Sequence, residues 1–96
     1  MTAIRLDATS WRSIDDVFDA LLPALKAPDW HGRNMDALID SMGTGDVNGV
    51  EPPYVVSVLG LAAAPAEVRE YVADLARSVK ERAQGNGRQV SFDLTP

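Results

Sequence analysis

The sequence contains no cysteine among its 96 residues, so no disulfide framework can stabilise the fold. Small secreted domains often depend on disulfides, and their absence favours a protein that stays in the cytoplasm. The N-terminal residues lack the positively charged region and the apolar run of a secretory signal. The longest apolar stretch, residues 54–64, is shorter than the ~20 residues that a membrane span requires. We therefore expect a soluble cytoplasmic protein.

Basic residues are also scarce, since nine lysines and arginines stand against fourteen aspartates and glutamates, for a formal net charge of −5. Binding of nucleic acid requires lysine or arginine side chains that neutralise phosphates, so this balance argues against direct contact with nucleic acid. An acidic surface instead suits a basic protein partner, although an excess of acids also serves solubility alone.

The length of 96 residues suits one domain and is too short for two useful cores, so we expect a single domain over residues 1–96. The hydrophobic fraction of 46% is sufficient for one core. Alternating apolar residues predict strands at 2–7 and 89–94, and the almost uniformly apolar segment Tyr54–Leu59 predicts a strand buried on both faces. Segment 44–53, which contains glycines and prolines, should be an exposed connection.

Three segments between these strands have the apolar spacing of helices. A capping box at residues 13–16 opens the first helix, which should kink or end near Leu22 because Pro23 follows. The third and longest helix starts at Pro65 and ends in the Gly-Asn-Gly turn at 85–87. Strands separated by helices imply parallel pairing, so the expected fold class is α/β, a small three-stranded parallel sheet packed with helices. The pattern does not predict the strand order.

The second helix is short, about two turns, and carries two acids. It begins behind Asn34, a favourable N-cap, and should end at Gly43. Asp36 and Asp40 lie four residues apart, so their carboxylates share one face. The positive N-terminal end of the helix favours Asp36, whereas the dipole opposes a carboxylate at the position of Asp40. This placement suggests a functional acid, and two solvated acids on an outward face are the alternative.

The loop before this helix, residues 27–33, contains Trp30 and His31 among residues that predict exposure. An exposed tryptophan is typical of a binding surface, and burial in the core is its alternative role. His31 is the only histidine, and no serine or cysteine stands near it in sequence as a nucleophile. Together with Asp36 and Asp40 it could suggest a metal or acid–base site, but three such residues without a further ligand cluster are weak support for an enzyme.

The segment from Pro28 to Asp40 resembles the signature of the barstar family. The family pattern is Pro, acid, aromatic, aromatic, Gly, any residue, Asn, apolar, Asp, Ala, apolar, usually aromatic, Asp. The segment here is Pro-Asp-Trp-His-Gly-Arg-Asn-Met-Asp-Ala-Leu-Ile-Asp. The predicted order of strands and helices is similar to that of the family over nearly the whole chain. The resemblance therefore implies a barstar-like fold.

The resemblance also implies a function: a monomeric intracellular inhibitor that blocks the active site of a secreted guanyl-specific ribonuclease one-to-one, with no catalysis, cofactor or metal of its own. The target would be of the barnase or the actinobacterial type. Asp40 would occupy the phosphate site among the enzyme's catalytic arginine and histidine residues, and Asp36 would support it at the basic rim. Trp30 would pack against the catalytic histidine. The other expected partner-binding residues are His31, Arg33, Asn34, Met35, Ile39, Gly43, Thr44 and Glu81.

Some positions depart from the family pattern. Ile39 and Thr44 stand where aromatics are known, so those contacts become smaller. His31 and Arg33 change the charge of the loop, and Arg33 would face the positive rim of the enzyme, which favours an acidic ribonuclease of the actinobacterial type. Glu81 is the expected acid of the last helix, although the glycine turn after it could shift the register. The aliphatic residue at position 39 also keeps an alternative open, a barstar-fold immunity or regulatory module for a different nuclease or toxin.

Overall fold

A computed structural model describes all residues from 1 to 96, and its three strands form one parallel sheet. The strands are β1 (Thr2–Asp7), β2 (Tyr54–Leu59) and β3 (Val90–Leu94), in the order β1-β2-β3. The predicted three-stranded parallel sheet is thereby confirmed. The strand order places the most apolar strand, β2, at the centre, where both of its edges are paired.

Helices lie between successive strands. The first connection contains α1 (Ile14–Ala24) and α2 (Met35–Leu38), and α2 continues directly into a π-helical stretch, Ile39–Thr44, called the π segment below. The second connection contains a 3₁₀ turn (Leu61–Ala63) and the long helix α3 (Ala66–Gly85). None of these helices has the combination of length and hydropathy needed to traverse a bilayer.

The capping box predicted at the start of α1 is present. Asp16 Oδ2 accepts hydrogen bonds from the backbone N–H groups of Arg12 at 2.7 Å and Ser13 at 3.1 Å. These two bonds hold the pKa of the Asp16 carboxyl below its usual value, the bond from Arg12 contributing most. The carboxylate therefore provides an acceptor for backbone donors at the helix entry, where no helical carbonyl is in reach.

The far end of α1 lies beyond the predicted position. The helix does not stop near Leu22 but includes Pro23 and ends at Ala24. A proline in the last turn removes only its own N–H donor, and Leu25 N–H still reaches Leu21 O at 3.0 Å. Of the two alternatives predicted for Pro23, a kink or an end near Leu22, the end is therefore wrong, because the turn around Pro23 retains enough bonds to remain helical.

The helices cover one face of the sheet, and the other face is open to solvent. Alternate residues of β2 show the difference, since Tyr54, Val56 and Val58 are buried while Val55 and Ser57 are only partly buried. The prediction that β2 is buried on both faces is therefore wrong. As the central strand, β2 is flanked on both edges by β1 and β3, and its outward residues Val55 and Ser57 are half-buried without a second layer of helices.

Two connections contain buried residues, and one of them was predicted to be exposed. Trp11, in the turn after β1, is part of the core and only 5% exposed. Asn48 is also buried, although segment 44–53 was predicted to be exposed. In the same segment, Gly49 N–H donates to Lys26 O at 2.9 Å, which ties the connection to the end of α1. Glycine and proline thus predicted a loop correctly, but contacts with other elements decide how deeply it is buried.

Candidate protein-binding site

The segment α2 and the residues after it present two carboxylates to solvent. Asn34 Oδ1 accepts a hydrogen bond from Ala37 N–H at 2.8 Å, which confirms the predicted N-cap. Leu38 is fully buried and anchors the helix in the core. Asp36 and Asp40 are both exposed, the side chain of Asp40 to 67%. The two acids are thus held outward from a structured backbone.

Asp40 belongs to the π segment, a wider helical turn that the apolar spacing did not predict. Gly45 N–H donates to Asp40 O at 3.1 Å, which is the five-residue spacing of a π-helix. The segment ends at Gly45, whose φ of +103° lies in the region that favours glycine. The prediction that Gly43 ends this helix is therefore wrong, and π turns of this kind often occur at functional positions.

The last part of α3 and the turn after it support the π segment from behind. The side-chain nitrogen of Asn86 donates to Gly43 O at 3.2 Å, and Arg88 Nε donates to Met42 O at 3.3 Å. These bonds satisfy carbonyl groups that the end of a helix leaves without intrahelical partners. Gly43 is buried here, and a Cβ at its position would lie 2.4 Å from Arg82 Cγ. Gly43 therefore permits close packing between the two elements.

Arg82 and Glu81 of α3 lie beside the π segment. Arg82 Nη1 is 3.9 Å from Asp40 Oδ1 and donates to Thr44 Oγ1 at 3.3 Å. Glu81, the expected acid of the last helix, is exposed on the same groove as Ile39. The groove is lined by Ile39, Ser78, Glu81, Arg82, Gly85 and Asn86. The structure therefore brings Ile39 of the π segment and Glu81 of α3, both predicted to bind a partner, into one groove. It adds Arg82, which the sequence marks only as the neighbour of Glu81.

The two aromatic positions of the loop before α2 differ sharply in exposure. Trp30 is 76% exposed, which decides between the two roles left open for it in favour of exposure, whereas His31 is only 7% exposed, so the predicted exposure of His31 is wrong. His31 Nδ1 lies 2.7 Å from Gly32 O, and His31 Nε2 lies 2.8 Å from Ser41 Oγ. Because a carbonyl only accepts, Nδ1 carries a proton and donates to Gly32 O, and Nε2 forms a hydrogen bond with the Ser41 hydroxyl. Ser41 Oγ in turn accepts from Asn48 Nδ2 at 3.1 Å, so His31 joins three segments of the fold.

Arg33 is bound to α1. Its Nη2 lies 2.9 Å from Asp19 Oδ1 and 3.4 Å from Asp15 Oδ1, and its guanidinium carbon is 5.5 Å from the centre of the Phe18 ring. The hydrogen bond to Asp19 is the main cause that raises the pKa of Arg33. Two carboxylates thus balance its charge, and Arg33 adds less positive charge to this surface than its sequence position indicated.

Tyr71 of α3 is half-buried and lies against α1. Its ring packs edge-to-face against Phe18, with 6.1 Å between the ring centres. Partial burial raises the pKa of the Tyr71 hydroxyl, and the negative charge of Asp36 adds to the increase. The carboxylate of Asp36 therefore lies on the same side of the molecule as the hydroxyl of Tyr71.

Comparison with known protein families gives one match. Over residues 1–95 the sequence matches the family described as Barstar (barnase inhibitor). The chain belongs to this family. The resemblance carried by segment 28–40 is thereby confirmed, and the match extends over both crossovers and all three strands. No curated protein was found to match the chain.

The acids and the histidine of this barstar-family chain do not converge on one point. No three side chains of the types His, Cys, Asp or Glu are grouped in a way that could hold a metal ion. Both ring nitrogens of His31 are engaged inside the fold. Asp36 and Asp40 instead face solvent, which leaves them available to a macromolecule that approaches this side of the barstar fold.

We expect His31→Phe to lower the free energy of unfolding by about 1–3 kcal/mol, because it leaves buried polar atoms without partners. Without the imidazole, the remaining partner to which the Ser41 hydroxyl could donate is Leu38 O at 3.5 Å, a poor hydrogen-bond distance. Asn48 Oδ1 next to this network is already buried without a protein partner. Urea denaturation of His31→Phe, Ser41→Ala and the double variant measures the coupling. If the losses of unfolding free energy in the two single variants add up to the loss in the double variant, His31 and Ser41 do not act as one network.

Proposed function

We propose that this chain is an intracellular inhibitor of a secreted guanyl-specific ribonuclease and that it blocks the enzyme's active site one-to-one. The observation that carries the proposal is the exposed carboxylate of Asp40 on a π segment whose other side is packed against α3. A ribonuclease cleft must be positive, since it holds RNA and stabilises the charge of the reacting phosphate. A carboxylate at a fixed position can replace that phosphate and accept paired hydrogen bonds from an arginine.

The exposed residues around Asp40 supply the other proposed contacts. Trp30 would be the apolar anchor that packs on the enzyme's catalytic histidine, since large aromatic side chains dominate the energetics of many interfaces. Asp36 would meet the basic rim, and Ile39 and Thr44 would make smaller contacts than aromatic residues there. The remaining proposed members of the interface are Asn34, Met35, Arg33 and Glu81 at its surface, with His31 and Gly43 holding the backbone beneath it.

The overall charge supports the same proposal. A net charge of −5 favours the approach of the positively charged cleft of a ribonuclease, and complementary fields raise association rates. Speed matters for this task, because a ribonuclease that remains in the producing cell must be captured before it degrades cellular RNA. The proposed inhibitor is a single domain over residues 1–96 that works as a cytoplasmic monomer and performs no catalysis itself.

Two residues favour a second candidate function, an immunity or regulatory module for a different nuclease or toxin. Ile39 offers an aliphatic contact where the family usually has an aromatic residue, and it is only partly buried in the free chain. Arg82 adds a positive charge directly beside Asp40. Both features would suit a partner whose surface differs from the cleft of a guanyl-specific ribonuclease.

The experiment that tests the first proposal is a titration of the purified chain into activity assays of barnase and of an actinobacterial guanyl-specific ribonuclease. We expect at least one enzyme to lose activity linearly until one equivalent is added, and light scattering to give the mass of a 1:1 complex. A ribonuclease of unrelated fold is the matched control and should keep its activity. If the folded chain inhibits neither guanyl-specific enzyme, the first proposal is wrong and the second candidate replaces it.

A further inference from the structure

We infer that Arg82 is a specificity-determining residue of this surface, because it places a fixed cation beside the carboxylate of Asp40. The inference rests on the proposed function and deepens it by naming the kind of ribonuclease that the site accepts. The preferred partner offers a cation to Asp40 and an acid or another hydrogen-bond acceptor to Arg82. A cleft whose rim is cationic throughout fits this surface less well.

The position of Arg82 is set by three contacts with the π segment. The stem of its side chain packs on Gly43, where a Cβ would lie 2.6 Å from Arg82 Cβ and 2.4 Å from Arg82 Cγ. Its guanidinium donates to Thr44 Oγ1 at 3.3 Å and stands 3.9 Å from Asp40 Oδ1. A side chain held along its length in this way loses little further freedom when a partner binds. Arg82 is therefore part of the shape that a partner meets.

The groups of the pair remain available to a partner. The Arg82 side chain is 49% exposed and that of Asp40 is 67% exposed. Their separation of 3.9 Å is too long for a hydrogen bond, and no other side chain of the chain donates to Asp40. Arginine has five N–H donors, of which one is used on Thr44. The surface therefore shows an anion and a cation side by side, both exposed and with few hydrogen-bond partners within the chain.

The charge of Arg82 is not cancelled in the way that the charge of Arg33 is. Arg33 lies against two carboxylates of α1, Asp15 and Asp19, and forms a hydrogen bond to Asp19 at 2.9 Å. Arg82 has only the longer approach to Asp40, the acid that the partner's cation is proposed to take. Once Asp40 binds that cation, the charge of Arg82 faces the partner and has no other ion-pair acid within the chain to balance it.

This arrangement weakens binding of partners with only cations near Arg82 and strengthens binding of partners with an acid opposite it. A cation that binds Asp40 comes within a few ångströms of Arg82, a distance shorter than the Debye length of about 8 Å at physiological salt, so the repulsion is not screened away. Like charges placed together at an interface are a common device against wrong partners. An acid on the partner opposite Arg82 removes the repulsion and can accept paired hydrogen bonds from the guanidinium.

The test uses two probes, barnase as the enzyme with a basic rim and an acidic actinobacterial guanyl-specific ribonuclease. Inhibition constants are measured for the wild type, Arg82→Glu and Arg82→Gln at low and at physiological ionic strength. Arg5→Glu is the matched control, because Arg5 is exposed on the open face of β1, away from the helices. We expect Arg82→Glu to tighten inhibition of barnase relative to the acidic enzyme by about tenfold or more, with Arg82→Gln intermediate.

The possible outcomes separate the inference from the function beneath it. If Arg82→Glu changes both inhibition constants by the same factor, or no more than Arg5→Glu does, the inference is wrong while the inhibitor function stands. If neither the wild type nor any variant inhibits either probe, the proposed function fails and the inference fails with it. Thermal midpoints are measured for all variants, and Arg82→Gln, which retains most of the stem on Gly43, carries the test if Arg82→Glu does not fold.

Discussion

Asp40→Asn should weaken ribonuclease inhibition more than any other single change of equal size, because it removes the charge of the carboxylate proposed to replace phosphate. Truncating one partner of a buried, hydrogen-bonded charge pair costs about 2–5 kcal/mol or more, a range for which the barnase–barstar complex is itself a measured example. That cost corresponds to a loss of affinity of roughly 30-fold to several thousand-fold. The measurement is the inhibition constant against whichever guanyl-specific enzyme the wild type inhibits.

The control for Asp40→Asn is Asp93→Asn, which removes the same charge from an exposed position of β3. We expect Asp93→Asn to change the association rate slightly and the dissociation rate not at all, since a distant charge affects only the encounter. The thermal midpoint of Asp40→Asn should equal that of the wild type, because Asp40 is exposed and its only ion pair is loose. Equal losses of affinity in the two variants would show that Asp40 acts through net charge alone.

Leu38→Ala should be strongly destabilising, because Leu38 is fully buried beneath the surface that carries Asp36 and Asp40. Leucine-to-alanine changes in a core cost about 2–5 kcal/mol, which is a large part of the ~5–15 kcal/mol that stabilises a typical domain. Each kilocalorie lowers the thermal midpoint of a domain of this size by roughly 4–8 °C. Thermal and urea denaturation of the variant measure the loss.

Leu59→Ala is the matched control for Leu38→Ala, since Leu59 ends β2 on the open face of the sheet and is 44% exposed. The substitution removes the same atoms, but the Leu59 side chain is already partly in contact with water and its truncation leaves no cavity. The loss of unfolding free energy should therefore be much smaller than for Leu38→Ala. If both variants lose the same stability, Leu38 does not anchor the surface in the way that its burial indicates. A stable Leu38→Ala protein that still inhibits fully would contradict the proposed need for a rigid support under Asp40.

Local patterns predicted the elements of the fold well, because each depends on residues close together in sequence. The capping box of Ser13 and Asp16 and the N-cap of Asn34 need only the next turn of helix, and both were found. The end of α1 was placed too early because a single rule, that proline breaks helices, was applied at Pro23 without regard to its place in the last turn. Such errors concern boundaries and leave the order of elements unchanged.

The site was predicted less completely than the fold. For Trp30 the sequence left exposure and burial open, and the structure shows exposure. The exposure of Asp40 followed from its residue type and position. The burial of His31 did not, because its partners Ser41 and Asn48 become neighbours only when the segment after α2 folds back over the loop. The position of Arg82 beside Asp40 was missed for the same reason, since a residue on α3 carries no local sign of the π segment that packs against it.

The sequence by itself determined the family, the three strands and their helices, and the outward acids of the signature segment. These features depend on the spacing of residues along the chain. Alternating apolar residues indicate the strands, capping residues indicate the helix starts, and the segment ending at Asp40 indicates the family. Only the tertiary structure decided the strand order, the burial of His31, and the pairing of Arg82 with Asp40 across Gly43. Those features arise where elements distant in sequence pack together, and the contacts that select them form only once the core has brought α3 against the π segment.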